Sequence, residues 1–167
     1  MQEQKPYRKP DSNMSTFEQL KCDDDLKEVI NSAFDADLDI SGAWGYTQAQ
    51  STVIHSTEVP MVQLEHMLAS MRTYIEMNMT RTKESRYGGI DINEIAREQK
   101  NIEGIRYDKV VYQITAMKED LYTAFIKEYK EGYGTKDFDM TKHFEERKEA
   151  TLTREEVYWF KLPETQS

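Results

Sequence analysis

Cysteine is almost missing from this sequence: of 167 residues, only Cys22 is one. A lone thiol excludes an internal disulfide and suits a reducing compartment, so a cytoplasmic protein is expected. Long apolar runs are missing as well. No stretch approaches the roughly 20 residues that cross a bilayer, and MQEQKPYRKPDSN at the N-terminus lacks the apolar segment of a secretory signal. No membrane partner is expected. Positive charge is scarce, with 22 Lys and Arg against 31 Asp and Glu and a net charge of −9. Binding to phosphate backbones needs concentrated Lys and Arg, so no nucleic acid is expected as a partner.

The spacings that carry chemistry are also lacking. There is no GxSxG. Cys22 adjoins Asp23, Asp24 and Asp25, whose negative charge disfavours a reactive thiolate. Gly88-Gly89 lies beside Arg81, Lys83 and Arg86 but has neither P-loop nor GxGxxG spacing, and fits a helix C-terminus better. Glu65-His66 on a helix invites comparison with HExxH, but position 70 is Ser70. The run FDADLDISGAWGY places Asp35, Asp37 and Asp39 like the start of a calcium loop. Counting from Asp35, however, the sixth position is Ile40 where glycine is needed, and the twelfth is Tyr46 where a bidentate Glu is needed. No metal and no cofactor are expected, and an enzyme is expected less than a binding protein.

Aromatic residues are plentiful, ten Tyr and six Phe among them, and supply the core material that a disordered chain lacks. A polar arm over residues 1–14 with two prolines precedes one domain over 15–167. Acid is concentrated early: residues 16–40 hold eight acids and two bases. Ser15 to Glu18 and Asp25 to Glu28 have capping-box spacing, and Leu26, Val29, Ile30, Ala33 and Phe34 form one helical stripe. Leu38, Ile40, Trp44 and Tyr46 alternate with the aspartates, as in a half-buried strand over about 38–46, with Gly42 and Gly45 marking a bulge or a close backbone approach. TQAQ (47–50) reads as a turn and STVIHST (51–57) as a returning strand.

Pro60 then opens a long helix reaching about Thr80. Met61, Leu64, Leu68, Met71 and Ile75 step by three and four, and Met67 and Tyr74 widen the stripe. With Met61 at position a, His66 falls at the outermost position f. Residues 90–102 fit a helix by propensity, since Glu, Ala, Arg and Gln favour one. They also fit one arm of a hairpin turning at Glu103-Gly104. Helix is the reading adopted. VVYQITA (110–116) and EVYWFKL (156–162) are strands, and 120–132 and 139–148 are helices, the first capped by Gly132 and the second by Asp139. The order predicts an α+β fold: a mostly antiparallel sheet of about four strands, with helices on one face including one long Met-rich helix.

Two functions follow. Five of the nine methionines lie between Met61 and Met79, and methionine serves adaptable contact surfaces. Met67, Met71, Met77 and Met79 are therefore the expected interaction surface of a non-enzymatic protein-interaction module acting as a homodimer or with another protein. The alternative is a small-molecule-binding domain or small enzyme, with Trp44, Tyr46, His55 and Tyr112 lining an aromatic pocket between sheet and long helix.

Overall fold

The computed structural model describes residues 17–21 and 24–164. The expected arm over 1–14, the box beginning at Ser15, Cys22 and Asp23 lie outside the described residues. Helix α1 spans Leu26–Phe34 and starts where Asp25 accepts a hydrogen bond from the Lys27 N–H at 3.0 Å. It ends at Asp35, whose left-handed backbone (φ 55°) lets its N–H reach the Asn31 carbonyl. Strand β1 (Ile40–Gly42) and β2 (Thr52–Ile54) form a short antiparallel pair. Helix α2 (Met61–Tyr74) continues into a π-helical turn over Ile75–Met79. Two long strands follow, β3 (Tyr87–Ile102) and β4 (Ile105–Lys118). Helices α3 (Glu119–Gly132) and α4 (Met140–Ala150) come next, then β5 (Leu152–Lys161).

The fold is α+β, and the sheet has five strands in the order β1-β2-β5-β4-β3 rather than four. Every neighbouring pair is antiparallel except β2 and β5, which run parallel with Thr52 opposite Phe160. Strand β5 returns from the end of the chain to sit between β2 and β4. No local periodicity encodes such a long-range insertion. Residues 90–102 are not helical. They form most of β3, pairing with β4 around a two-residue turn at Glu103 (φ 52°) and Gly104 (φ 82°). Positive φ at both central residues matches the twist of the flanking strands, so the hairpin prevails over helix propensity. Strand β3 is an edge, and Glu94, Arg97, Glu98 and Lys100 along it discourage pairing with further chains.

One face of the sheet carries the core. Ile92, Val110, Tyr112, Ile114, Tyr158 and Phe160 point to it, and Leu26 and Ile30 of α1 with Leu64, Leu68 and Ala69 of α2 close over them. The expectation of helices on one face holds for this pair. Helices α3 and α4 add no residue to that core. They enclose a small core of their own, with Phe125, Tyr129, Phe138 and Phe144 ringing a buried His143. Gly45 has a backbone φ of +84°, and a Cβ there would meet the Tyr158 ring at 2.2 Å, a close approach that only glycine permits.

Candidate functional site

Helix α2 organises everything of functional interest, because both of its flanks are used. Leu64, Leu68 and Ile75 are buried as the stripe implies, while Met61 and Met71 lie at its margin, half-buried. The buried arc is rotated toward a second set: Glu65, Ala69, Arg72, Thr73 and Glu76. Three charged residues thus face the sheet. The π-helical turn extends the arc, with the Thr80 N–H bonding the Ile75 carbonyl at 3.1 Å and Ile75, Glu76 and Met77 consecutively buried.

Arg72 is the centre of the first buried cluster. Its guanidinium lies between two phenol rings, 4.1 Å from the centroid of Tyr46 and 4.3 Å from that of Tyr158. Nη1 donates to the Trp44 carbonyl at 3.1 Å, and Nη2 to the Val157 carbonyl at 3.0 Å. Glu76 and Glu156 balance its charge, and Arg154 pairs with the same two carboxylates. The Tyr46 hydroxyl donates to Glu76 and accepts from the Leu20 N–H at 2.9 Å. Burial, and then the Glu76 charge, push the Tyr46 phenol far above its ordinary pKa, so it remains a neutral donor. One side chain thereby ties α2 to the β1–β2 connection and to β5.

The second cluster lies nearer the start of α2. Glu65 is fully buried, with Oε1 2.8 Å from Nη1 of Arg97. That contact is close but is not an aligned hydrogen bond; Nη1 donates instead to Asp108, 3.1 Å away. Arg97 also takes both oxygens of Glu94, at 2.8 and 2.9 Å. Burial foremost, and then the Asp108 carboxylate, push the Glu65 carboxyl up to about 8, so a proton resides there at neutral pH. The Arg97 guanidinium does the opposite to Glu94, holding it below the ordinary carboxylate range. The Tyr112 hydroxyl ends beside Glu65 without a hydrogen-bond partner among the described residues, and burial raises its pKa well above the ordinary value.

The outer flank of α2 is open. Met67, Ser70, Met71 and Tyr74 form one wall of an apolar groove of about 410 Å³, Phe34 of α1 the second and Ile90 and Ile92 of β3 the third. Phe34 and Tyr74 meet edge to face with centroids 6.4 Å apart. His66 is exposed, as its outermost position implies, and completes the wall with Nε2 3.1 Å from the Ile92 carbonyl, so it also bridges α2 to β3. On the other side of Met67 lies a second groove of about 330 Å³, lined by Lys27, Asp37, Asp39 and Glu58 with Leu38, Val59 and Leu64. Asp37 and Asp39 of the calcium-like run therefore line a groove, while Asp35 caps α1.

The structure separates the four residues of the expected aromatic pocket. Trp44 is buried in the core, Tyr46 belongs to the Arg72 cluster and Tyr112 to the Glu65 cluster. His55 is exposed, 2.7 Å from the Ser41 hydroxyl. The space between α2 and the sheet, where that pocket was expected, holds packed side chains and the pairs Arg72–Glu156 and Glu76–Arg154. The methionines divide as well. Met67 and Met71 line the groove. Met77 is fully buried and is a core residue, because the π-helical turn swings it inward, while Met79 is exposed beyond the groove. Sequence reasoning missed Glu65, Arg72, Glu76, Arg97, Asp108 and Arg154. The one available signal was the spacing of Glu65, Arg72 and Glu76, seven and four residues apart on one side of a helix.

Among the described residues no group of three or more His, Cys, Asp or Glu could hold a metal ion, and no helix is long and apolar enough to cross a membrane. No family model, no curated protein and no solved structure matches this chain.

Proposed function

We propose that this protein is a docking module that receives apolar side chains of another protein's segment in the groove between α1, α2 and β3. One observation carries the reading. Phe34, Met67, Met71, Tyr74, Ile90 and Ile92 converge on a single open depression, while the other side of the same helix is tied to β5 by the ion pairs Arg72–Glu156 and Glu76–Arg154. A rigid backing with a flexible methionine lining suits a site that adapts to an inserted side chain. Burying one Leu- or Phe-sized anchor there is worth about 1.5–3 kcal/mol, so a stable complex needs several anchors and contact beyond the groove.

Site-specific photo-crosslinking in cells tests this. A benzophenone amino acid replaces Tyr74, which is 43% exposed in the groove, or Tyr133, which is 62% exposed just past the end of α3 and away from it. A discrete adduct to one protein from position 74, without the same adduct from 133, supports docking. Equal patterns from both positions, or none from 74, contradict it.

A further inference from the structure

The two grooves flanking Met67 differ in character, and the difference defines the partner. The first is apolar. The second carries Asp37, Asp39 and Glu58, and its one cation, Lys27, is 3.4 Å from Asp37 and already paired. Met67 lines both, so an occupant crossing it meets apolar surface and then carboxylates. The surroundings share that sign: residues 24–40 contain six acids and one lysine, and Asp35 and Asp91 stand exposed next to Phe34 and Ile92.

Resting on the docking reading, we infer that the partner is a basic amphipathic segment of a different protein, with apolar anchors in the Met71–Tyr74 groove and adjacent Lys or Arg against Asp37, Asp39 and Glu58. A second copy of this chain fits less well. A two-fold contact through this face would set acidic rim on acidic rim, between two chains that each carry −9. The carboxylates at the rim speed encounter and select the sign of the partner, and the groove supplies the anchoring.

The probe is a set of three fluorescent helical peptides of one apolar pattern, with Leu and Phe at i, i+3, i+4 and i+7. Their polar positions are lysine-rich, glutamine-rich or glutamate-rich. Fluorescence anisotropy is measured against the full chain, the Met71→Glu variant and the triple variant Asp37→Asn, Asp39→Asn, Glu58→Gln. The expected result is tightest binding of the lysine-rich peptide, weakened about tenfold in the triple variant at low ionic strength and by a similar factor on raising salt. Met71→Glu abolishes binding, and a melting curve confirms that each variant folds. Equal binding of all three peptides, lost only in Met71→Glu, overturns the basic partner and leaves docking standing. Binding of the lysine-rich peptide that survives Met71→Glu places it outside the groove and overturns the inference. Failure of every peptide to bind at millimolar concentration counts against docking itself. Concentration-dependent dimerisation abolished by Met71→Glu would replace the basic partner with a second copy.

Discussion

Replacing Arg72 with methionine removes the residue that ties three parts of the fold together, and the cost can be worked out from its contacts. Methionine fills a similar length, so the cavity term is small. The carbonyls of Trp44 and Val157 lose their donors, at 3.1 and 3.0 Å. A buried carbonyl left without a partner costs about 1–3 kcal/mol. The stacking of the cation on Tyr46 and Tyr158 is lost, about 0.5–2 kcal/mol for each ring. Glu76 and Glu156 keep Arg154, and relief from burying one cation offsets part of the loss. The balance is about 3–5 kcal/mol, the usual cost of breaking a buried pair on one side. For a chain of this size that lowers Tm by about 10–15 °C. Arg72→Lys keeps the charge but neither the two-carbonyl reach nor the flat stacking, so it recovers only part. Thermal and urea melts measure both. Arg72→Met melting within about 3 °C of the wild type, or Arg72→Lys matching the wild type, would refute a structural role for the guanidinium.

Three further outcomes are expected. The Glu65 carboxyl is raised from 4.5 to about 8, so the folded state holds a proton that the unfolded chain releases between those values. Its stabilisation is complete below pH 4.5 and is lost as pH rises through about 8, by up to roughly 5 kcal/mol. Glu65→Gln, which cannot ionise, should flatten this slope and be relatively more stable at pH 8.5 in melts across the range; an unchanged slope would contradict the assignment. Gly45→Ala puts a methyl 2.2 Å from the Tyr158 ring and should cost about 3 kcal/mol or more, whereas Gly104→Ala meets nothing within 4 Å and should cost only about 1–2 kcal/mol for its left-handed backbone. Paired urea melts that give equal losses would overturn the close-approach reading. Helices α3 and α4 contribute nothing to the main core, so their amides should exchange hydrogen well before those of β4. Uniform protection across both regions would show instead that the helical pair unfolds only with the whole domain.

Much of the architecture could be read in the chain because the relevant signals are local. The stepping of Leu64, Leu68 and Ile75 marks α2, and the alternation of Val110, Tyr112 and Ile114 marks β4. The aspartate at Asp25 marks the start of α1, and Gly45 marks a close approach. What stayed hidden depends on distant partners. Residues 90–102 carry helix-forming side chains because β3 is an edge strand whose charges keep other chains away, and only pairing with β4 makes it a strand. This is also the fifth strand, beyond the four expected; β2 falls within the expected 51–57, and only its place beside β5 stayed hidden. The burial of Glu65, Arg72 and Glu76 stayed hidden because the residues that face them, Arg97, Glu156 and Arg154, lie on strands whose order no periodicity reveals. The methionines of the groove were found, but the π-helical turn that moves Met77 inside has no sequence signature.

Methionine-methyl NMR of the full chain tests docking most directly, because the groove carries its own reporters and the core its own control. On titration with the lysine-rich amphipathic peptide, the methyls of Met67 and Met71 should shift together and saturably, while that of Met77, fully buried behind them, should hold its position. Shifts confined to Met79 or Met140, which are exposed outside the groove, or movement of all methyls alike, would contradict a docking site between α1, α2 and β3.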